Sequence, residues 1–342
     1  MILRPVRERP VEEVLKAIQS IMHQTGFEEI GLLSLSSSDY SDVGPLVQAI
    51  GERFSADHLA ISLPALRADS FSVSLAEAVA QGRHTGFTFA PEAATERMRS
   101  VINKPIPTDQ MLDVAREVFE RGVHTIKLYF MIGLPGECMD DVQAIVDVVK
   151  AVRAAGRKVH GRRTQINVSV NTFVPKPHTP FQWVALEPTS SIQEKQARLR
   201  RELHGGGIKL SYNEPEATLL EATLARGDRR LGEVIRRAWE QGARFDAWGG
   251  QRDLDAWTQA LTAAGSDPAF YARRQRPPGE LFPWEVISTG VHKRFLWREY
   301  QRSRRGETTV DCRQQCYGCG ILTAFGDNWS QAWHCPEPAE RS

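Results

Sequence analysis

The feature that most constrains this chain is a regular alternation of short, β-branched apolar runs with amphipathic stretches of helical period. Apolar runs occupy 30–35, 59–63, 86–90, 123–132 and 166–174, and a last strand is expected at 208–212. Their length and composition read as buried strands. The stretch 11–23 carries Val14, Leu15, Ile18, Ile21 and Met22 at helical spacing, and further helices are expected over 43–54, 74–81, 111–121, 140–155 and 192–203. Strands separated by a helix cannot pair as hairpins. They build βα units and a parallel sheet, so the fold class is α/β. In such sheets the functional groups gather at the C-terminal ends of the strands.

Those ends are polar or rich in glycine and proline throughout. They read Ser36-Ser-Ser38-Asp39-Tyr40, Pro64-Ala-Leu-Arg67, Pro91-Glu92-Ala93, Gly133-Leu-Pro135-Gly136-Glu137 and Pro175-Lys176-Pro-His178-Thr-Pro180. Any one such loop merely turns the chain. Five together point to a functional face, because plain turns do not need repeated Pro-Glu or Gly-x-x-Gly stiffening.

After 213 the texture changes. Helices are expected over 217–225, 229–242, 254–264 and 268–273, and of the 8 tryptophans all but Trp183 lie from Trp239 onward. Arginine is abundant there, in the pairs Arg229-Arg230, Arg236-Arg237, Arg273-Arg274 and Arg304-Arg305. Arginine interleaved with tryptophan raises RNA contact as an expectation, but interspersed Glu and Asp and a net charge of +1 favour ordinary solvated faces. The expected organisation is a core over 1–213, a Trp- and Arg-rich helical extension over 214–300 and a cysteine-bearing tail over 301–342. No apolar run is long enough to span a membrane. The N-terminal decapeptide lacks the apolar region of a secretory signal. A cytoplasmic protein with reduced thiols is expected.

The tail holds four of the 5 cysteines: Cys312, Cys316 and Cys319 in a CxxxCxxC run, and Cys335, with Cys138 elsewhere. Three thiolates this close can converge on one soft metal centre from a single loop, and the glycines of Tyr317-Gly-Cys-Gly320 give that loop backbone freedom. An iron–sulfur cluster with one open iron and a zinc site closed by Cys335 or His334 both satisfy the spacing.

Three segments together resemble one family. Gly86-Phe-Thr-Phe-Ala-Pro-Glu92-Ala-Ala-Thr-Glu-Arg97, ending in Val101-Ile-Asn-Lys104, is similar to the fourth-strand segment of radical S-adenosylmethionine (radical SAM) enzymes. Lys127-Leu-Tyr-Phe-Met-Ile-Gly133-Leu-Pro-Gly136-Glu137 is similar to the fifth-strand motif, and Asn171-Thr-Phe-Val-Pro-Lys176-Pro-His-Thr-Pro180 to the sixth. With Pro283-Trp284-Glu-Val-Ile and Val291-His-Lys293-Arg-Phe-Leu, the resemblance extends to the uncharacterised branch whose members carry an N-terminal cobalamin-binding domain. It implies a partial (β/α) TIM-type barrel followed by an α-helical C-terminal region with the cysteine cluster. The implied cofactors are S-adenosylmethionine and a 4Fe–4S cluster, for 5′-deoxyadenosyl-radical chemistry on an unknown substrate. The resemblance implies that Glu92 accepts hydrogen bonds from the cosubstrate's ammonium or ribose. Gly133, Pro135 and Gly136 would admit its adenine, Val174 and Pro175 would wall it, and Ser36, Ser38 and Asp39 would add polar contacts.

In one respect the chain departs from the family pattern. The family's cluster motif follows the first barrel strand, a short distance ahead of the segment matching Arg4-Pro-Val-Arg-Glu-Arg-Pro10. The expectation is a C-terminal fragment, or one half of a split protein whose partner, an upstream-encoded N-terminal half, supplies the first strand, the cluster motif and the cobalamin domain. Cys312, Cys316, Cys319 and Cys335 then read as an auxiliary iron–sulfur or zinc site. Two alternatives stand beside this reading: the tail cysteines fold back as the catalytic cluster, or the chain is a metal-stabilised RNA-binding module.

Overall fold

Parallel strands joined by helices organise the first two-thirds of the molecule. The computed structural model describes residues 7–34, 40–54, 59–62, 87–248, 250–312 and 314–326. Helix α1, Val11–Thr25, leads into β1, Glu29–Gly31; α2, Val43–Arg53, leads into β2, Ala60–Ser62, which pairs in parallel with β1. Leu15, Ile18, Ile30, Leu46, Ile50 and Phe54 close a small core between these helices and β1. The second sheet is parallel, with the order β3, Phe87–Glu92; β4, Thr125–Ile132; β5, Gln165–Thr172; β6, Ile208–Tyr212. Its crossovers run through α3, Glu96–Val101, and α4, Thr108–Glu120; through α5, Met139–His160; and through α6, Thr189–Glu202. Sequential order with one hand of crossover stacks the helices on a single side. The described strands thus form an open α/β arrangement rather than a closed barrel.

Alternation along the strands explains how this sheet is held. On β4, Ile126, Leu128, Phe130 and Ile132 are all fully buried against the helices, as are Ile166, Val168 and Val170 on β5. The opposite face reads Lys127, Tyr129 and Met131 on β4, Asn167, Ser169 and Asn171 on β5, and Lys209 and Ser211 on β6, all half-buried or exposed. Register places Lys127, Asn167 and Lys209 in one row, and Tyr129, Ser169 and Ser211 in the next. A parallel sheet covered by protein on both sides is near-continuously apolar. This one is apolar on one face only.

The C-terminal part is helical: α7, Pro215–Arg226; α8, Leu231–Glu240; α9, Leu254–Ala263; α10, Pro268–Ala272; α11, Lys293–Arg304; α12, Ile321–Phe325. It shares its cores with the α/β part. Trp183, from the loop after β5, packs with Phe282, Trp284, Phe295 and Tyr300, while Val174 and Leu186 pack with Ala222 and Ala272. Two fully buried arginines fasten this junction. Arg226 donates from Nε to the Tyr271 carbonyl at 3.1 Å and from Nη1 to the Val184 carbonyl; Arg276 donates from Nη2 to the Arg226 carbonyl at 3.1 Å. Capturing carbonyls at helix C-termini suits a buried cation. Burial, with Arg276 and Arg274 nearby, lowers the Arg226 pKa to about 10, so it stays charged at neutral pH. No described helix is long and apolar enough to cross a membrane.

The expected helix over 74–81 lies outside the described residues. Three short or polar helices, α3, α11 and α12, carry no clear apolar period. On α11 the buried positions are Phe295, Leu296, Glu299, Tyr300 and Ser303, two of them polar, which blurs the pattern.

Gly156 on α5 gives a test of this packing. A Cβ there would lie 2.5 Å from Thr164 Cγ2 and 2.7 Å from Phe119 Cζ. Gly→Ala in an open helix stabilises by about 1 kcal/mol. Here Gly156→Ala is expected to destabilise by about 1–3 kcal/mol through overpacking, measured by urea denaturation.

Candidate functional site at the strand exits

The exits of β3 and β4 are built from residues that hold one another. On β3 the register to β4 shifts between Phe89 and Glu92. Pro91 has no N–H for the ladder, so the strand bulges there. Glu92 follows with φ 66, a left-handed conformation uncommon for a non-glycine residue and found preferentially at functional sites. Lys104 Nζ donates to the Ala90 carbonyl and lies 3.4 Å from Glu92 Oε1, with the Glu92 side chain 29% exposed. A carboxylate with about four acceptor positions keeps capacity beyond this one contact. Arg99, fully buried, donates from Nη1 to the Ala93 and Ala94 carbonyls at 3.1 and 2.7 Å, and from Nη2 to Thr108 Oγ1 at 2.6 Å. The turn after Glu92 is thereby pinned from beneath.

Asp141, at the start of α5, ties the two exits together. It accepts from Thr95 Oγ1 at 2.7 Å, from Arg97, and from the Cys138 N–H at 2.9 Å. Burial works against its charge, but Cys138, Thr95 and Arg97 outweigh burial and hold its carboxyl below the usual range. Arg97 also donates to the Gly136 carbonyl at 3.1 and 3.2 Å. Cys138 serves as the N-cap of α5, an ordinary role for a small residue at that position.

Behind the β4 exit lies a buried ion triad. Lys195 Nζ on α6 is 2.7 Å from Glu137 Oε2 and 2.7 Å from both oxygens of Glu187. Glu137 also accepts the Gly133 N–H at 2.7 Å. Burial pushes the Glu137 carboxyl up, against the opposing pull of Lys195. Burial would lower Lys195, but its two carboxylate partners prevail and hold its ammonium above the usual value. The sequence pattern marked Glu137 as a loop residue and gave no sign of Lys195, which sits in an unremarkable polar helix. Only the fold brings them together.

The remaining expected site residues fall into several groups. Gly133 and Gly136 both have φ 80. A Cβ on Gly133 would lie 2.9 Å from Ile192 Cδ1 and 3.1 Å from Glu187 Oε2, so its bareness admits α6 rather than a ligand. Gly136 is exposed, with nothing near its Cβ position, and Pro135 is half-buried beside it. Val174, expected as an adenine wall, has its side chain buried with Leu186, Ala222 and Ala272. Pro175 is buried too. Ser36, Ser38, Asp39 and Cys335 lie outside the described residues.

Cys312, Cys316 and Cys319 were expected to converge, and they do not. Among the described residues no three His, Cys, Asp or Glu side chains are arranged to hold a metal ion. Cys319 is buried in the aromatic cluster beside α11, while Cys312 and Cys316 are half-exposed. The loop is held by its backbone. The Cys319 carbonyl accepts the His292 N–H at 2.8 Å, and Gly320, φ 109, sits so close to His292 that a Cβ would lie 2.6 Å from its Cδ2.

Residues 2–149 match the model of the radical SAM superfamily. The matched stretch makes up somewhat less than half of the chain. A radical SAM domain implies S-adenosylmethionine and a 4Fe–4S cluster. The uncharacterized protein MJ0966 of Methanocaldococcus jannaschii is 27% identical over 231 residues, covering 68% of this chain and 48% of the relative. The chain spans about half the length of the curated relative it matches. A crystal structure of Streptococcus suis SuiB covers 62% of the chain and 46% of SuiB at 9% identity, with a TM-score of 0.42. SuiB bound to precursor peptide SuiA covers 65% and 46% at 11% identity, with a TM-score of 0.43.

The triad yields a signed prediction. Lys195→Met leaves Glu137 and Glu187 buried without their cation and is expected to cost about 3–5 kcal/mol at neutral pH. Protonating a buried carboxyl relieves that cost, so stability of the variant rises as pH falls from about 7 towards 5, approaching the parent. Urea denaturation across that range checks both the size and the slope.

Proposed function

We propose that this chain is the cosubstrate-binding part of a radical SAM protein, with S-adenosylmethionine seated at the exits of β3 and β4. The observation that carries the reading is Glu92: a carboxylate in left-handed backbone at a strand end, braced by Lys104 and still 29% exposed. The residues present fit the cosubstrate in charge and shape. Glu92 offers acceptor oxygens to an ammonium or to ribose hydroxyls. Gly136, exposed beside half-buried Pro135, leaves its Cβ side open to a ligand while its carbonyl is held by Arg97. The backbone at Val174 and Pro175 is the third side.

A reduced 4Fe–4S cluster would supply the one electron that cleaves S-adenosylmethionine to methionine and a 5′-deoxyadenosyl radical. The cysteines do not fit that cluster as they fit a motif on paper, since the three described thiols are not brought together. In this proposal no step is assigned to the tail cysteines. What this chain contributes is binding and orientation. Thr95, Arg97 and Asp141 fix the distance between the two strand exits, and Arg99 fixes the turn that presents Glu92. The polar face of β4–β6, with Lys127, Asn167, Ser169, Asn171 and Lys209, would then confront the substrate, favouring a hydrophilic one.

The test is equilibrium dialysis of the full chain with radiolabelled S-adenosylmethionine. Glu92→Gln keeps shape and removes charge, and is expected to weaken binding by about tenfold or more, the worth of a charge-assisted hydrogen bond. Unchanged affinity in that variant would remove Glu92 from the site.

A further inference from the structure

The C-terminal tail reaches back to the turn after α3, and we infer that Asn103 is a positioning residue through which that tail braces Glu92. This inference rests on the reading of Glu92 as a cosubstrate ligand. Asn103 sits in the turn after α3 with φ 55, its N–H donating to the Ser100 carbonyl at 3.0 Å. Its side chain treats Thr309 as a strand would treat a neighbour. Nδ2 donates to the Thr309 carbonyl at 3.1 Å and lies 3.1 Å from Thr309 Oγ1, while Oδ1 accepts the Thr309 N–H at 2.8 Å. The two residues are 206 positions apart in sequence.

Both ends of this strut are anchored. Thr309 Oγ1 donates to Glu299 Oε2 at 3.1 Å, and the Val310 N–H donates to Tyr317 Oη at 3.1 Å, within the CxxxCxxC loop. Ser303 Oγ on α11 donates to the Val101 carbonyl at 2.7 Å, so α11 and the segment after it grip both sides of the turn 101–103. On the other side, the next residue is Lys104. Its N–H donates to the Arg99 carbonyl at 2.7 Å, and its ammonium meets Glu92 and the Ala90 carbonyl. The continuous path runs from the Cys312–Cys319 loop through Val310, Thr309, Asn103 and Lys104 to Glu92.

A fold-only role for this contact predicts something different from a positioning role. If Asn103 merely glues the tail down, losing it loosens the tail and leaves the ligand alone. If it positions Lys104, a perturbation at either end is felt at the other, because coupling between sites is reciprocal. Asn103→Gly is the informative variant, since glycine adopts φ 55 freely and removes only the side-chain bonds. Asn103→Asp keeps tolerance of that backbone and the acceptor for Thr309 N–H, and serves as the conservative partial rescue.

Two readouts on the full chain decide the matter. In equilibrium dialysis with S-adenosylmethionine, Asn103→Gly is expected to weaken binding about fivefold, the worth of one hydrogen bond, with Asn103→Asp lying between it and the parent. In hydrogen–deuterium exchange without ligand, Lys104→Met is expected to speed exchange of the Thr309 and Val310 amides about fivefold. Parent affinity in Asn103→Gly together with parent exchange in Lys104→Met would overturn the inference. Failure of the parent chain to bind S-adenosylmethionine at all would overturn the proposed function instead, and the exchange experiment alone would then decide whether the strut couples its two ends.

Discussion

The geometry of the site depends first on Asp141. One buried carboxylate accepts from Thr95 after β3, from Arg97 just beyond it, and from the Cys138 N–H where the β4 loop becomes α5. Parallel strands are joined to each other by backbone bonds along their length, but nothing in the ladder fixes the loops beyond their ends. Asp141 extends that fixing past the last ladder bond. Charge-assisted bonds are shorter and stronger than neutral ones, and their convergence on one anion makes two loops move as one body. Arg97 carries the effect to the Gly136 carbonyl.

Beneath this layer the structure separates its loads. The helix-facing rows of β4 and β5 are aliphatic and aromatic and fully buried, and they supply the hydrophobic stabilisation of the sheet. The Glu137–Lys195–Glu187 triad and the Arg226–Arg276 junction are costly to desolvate. They hold a loop and a helical extension in place, which an apolar contact, being non-directional, would do less specifically.

Much of this was legible in the sequence. The strand 208–212 and the helix starting at 11 fall where apolar period and flanking residues place them, and the strand exits carry the Pro-Glu and Gly-Leu-Pro-Gly segments in the expected order. What was not legible has a common cause. Lys195, Arg99 and Asn103 are polar residues on helices or turns with no local signature, and their roles come from contacts 58, 6 and 206 positions away. The packing of Val174 was hidden for the converse reason. Its place in the motif suggested a ligand wall, but the helices after 213 pack against the β5 exit and take up its side chain. The spacing of Cys312, Cys316 and Cys319 describes what a loop is able to do, whereas the glycines at 318 and 320 and the contact with His292 describe how this loop lies.

The polar rows on the far face of β4–β6 have a consequence for how such a protein changes over time. Because Lys127, Asn167, Ser169 and Lys209 contribute little burial, replacing them costs little stability. The rows that hold the sheet together and the rows that would meet a substrate alternate along the same strands without sharing a residue. Substrate preference can therefore drift by single substitutions while the scaffold persists. A family built on such sheets is free to diversify its chemistry faster than its fold.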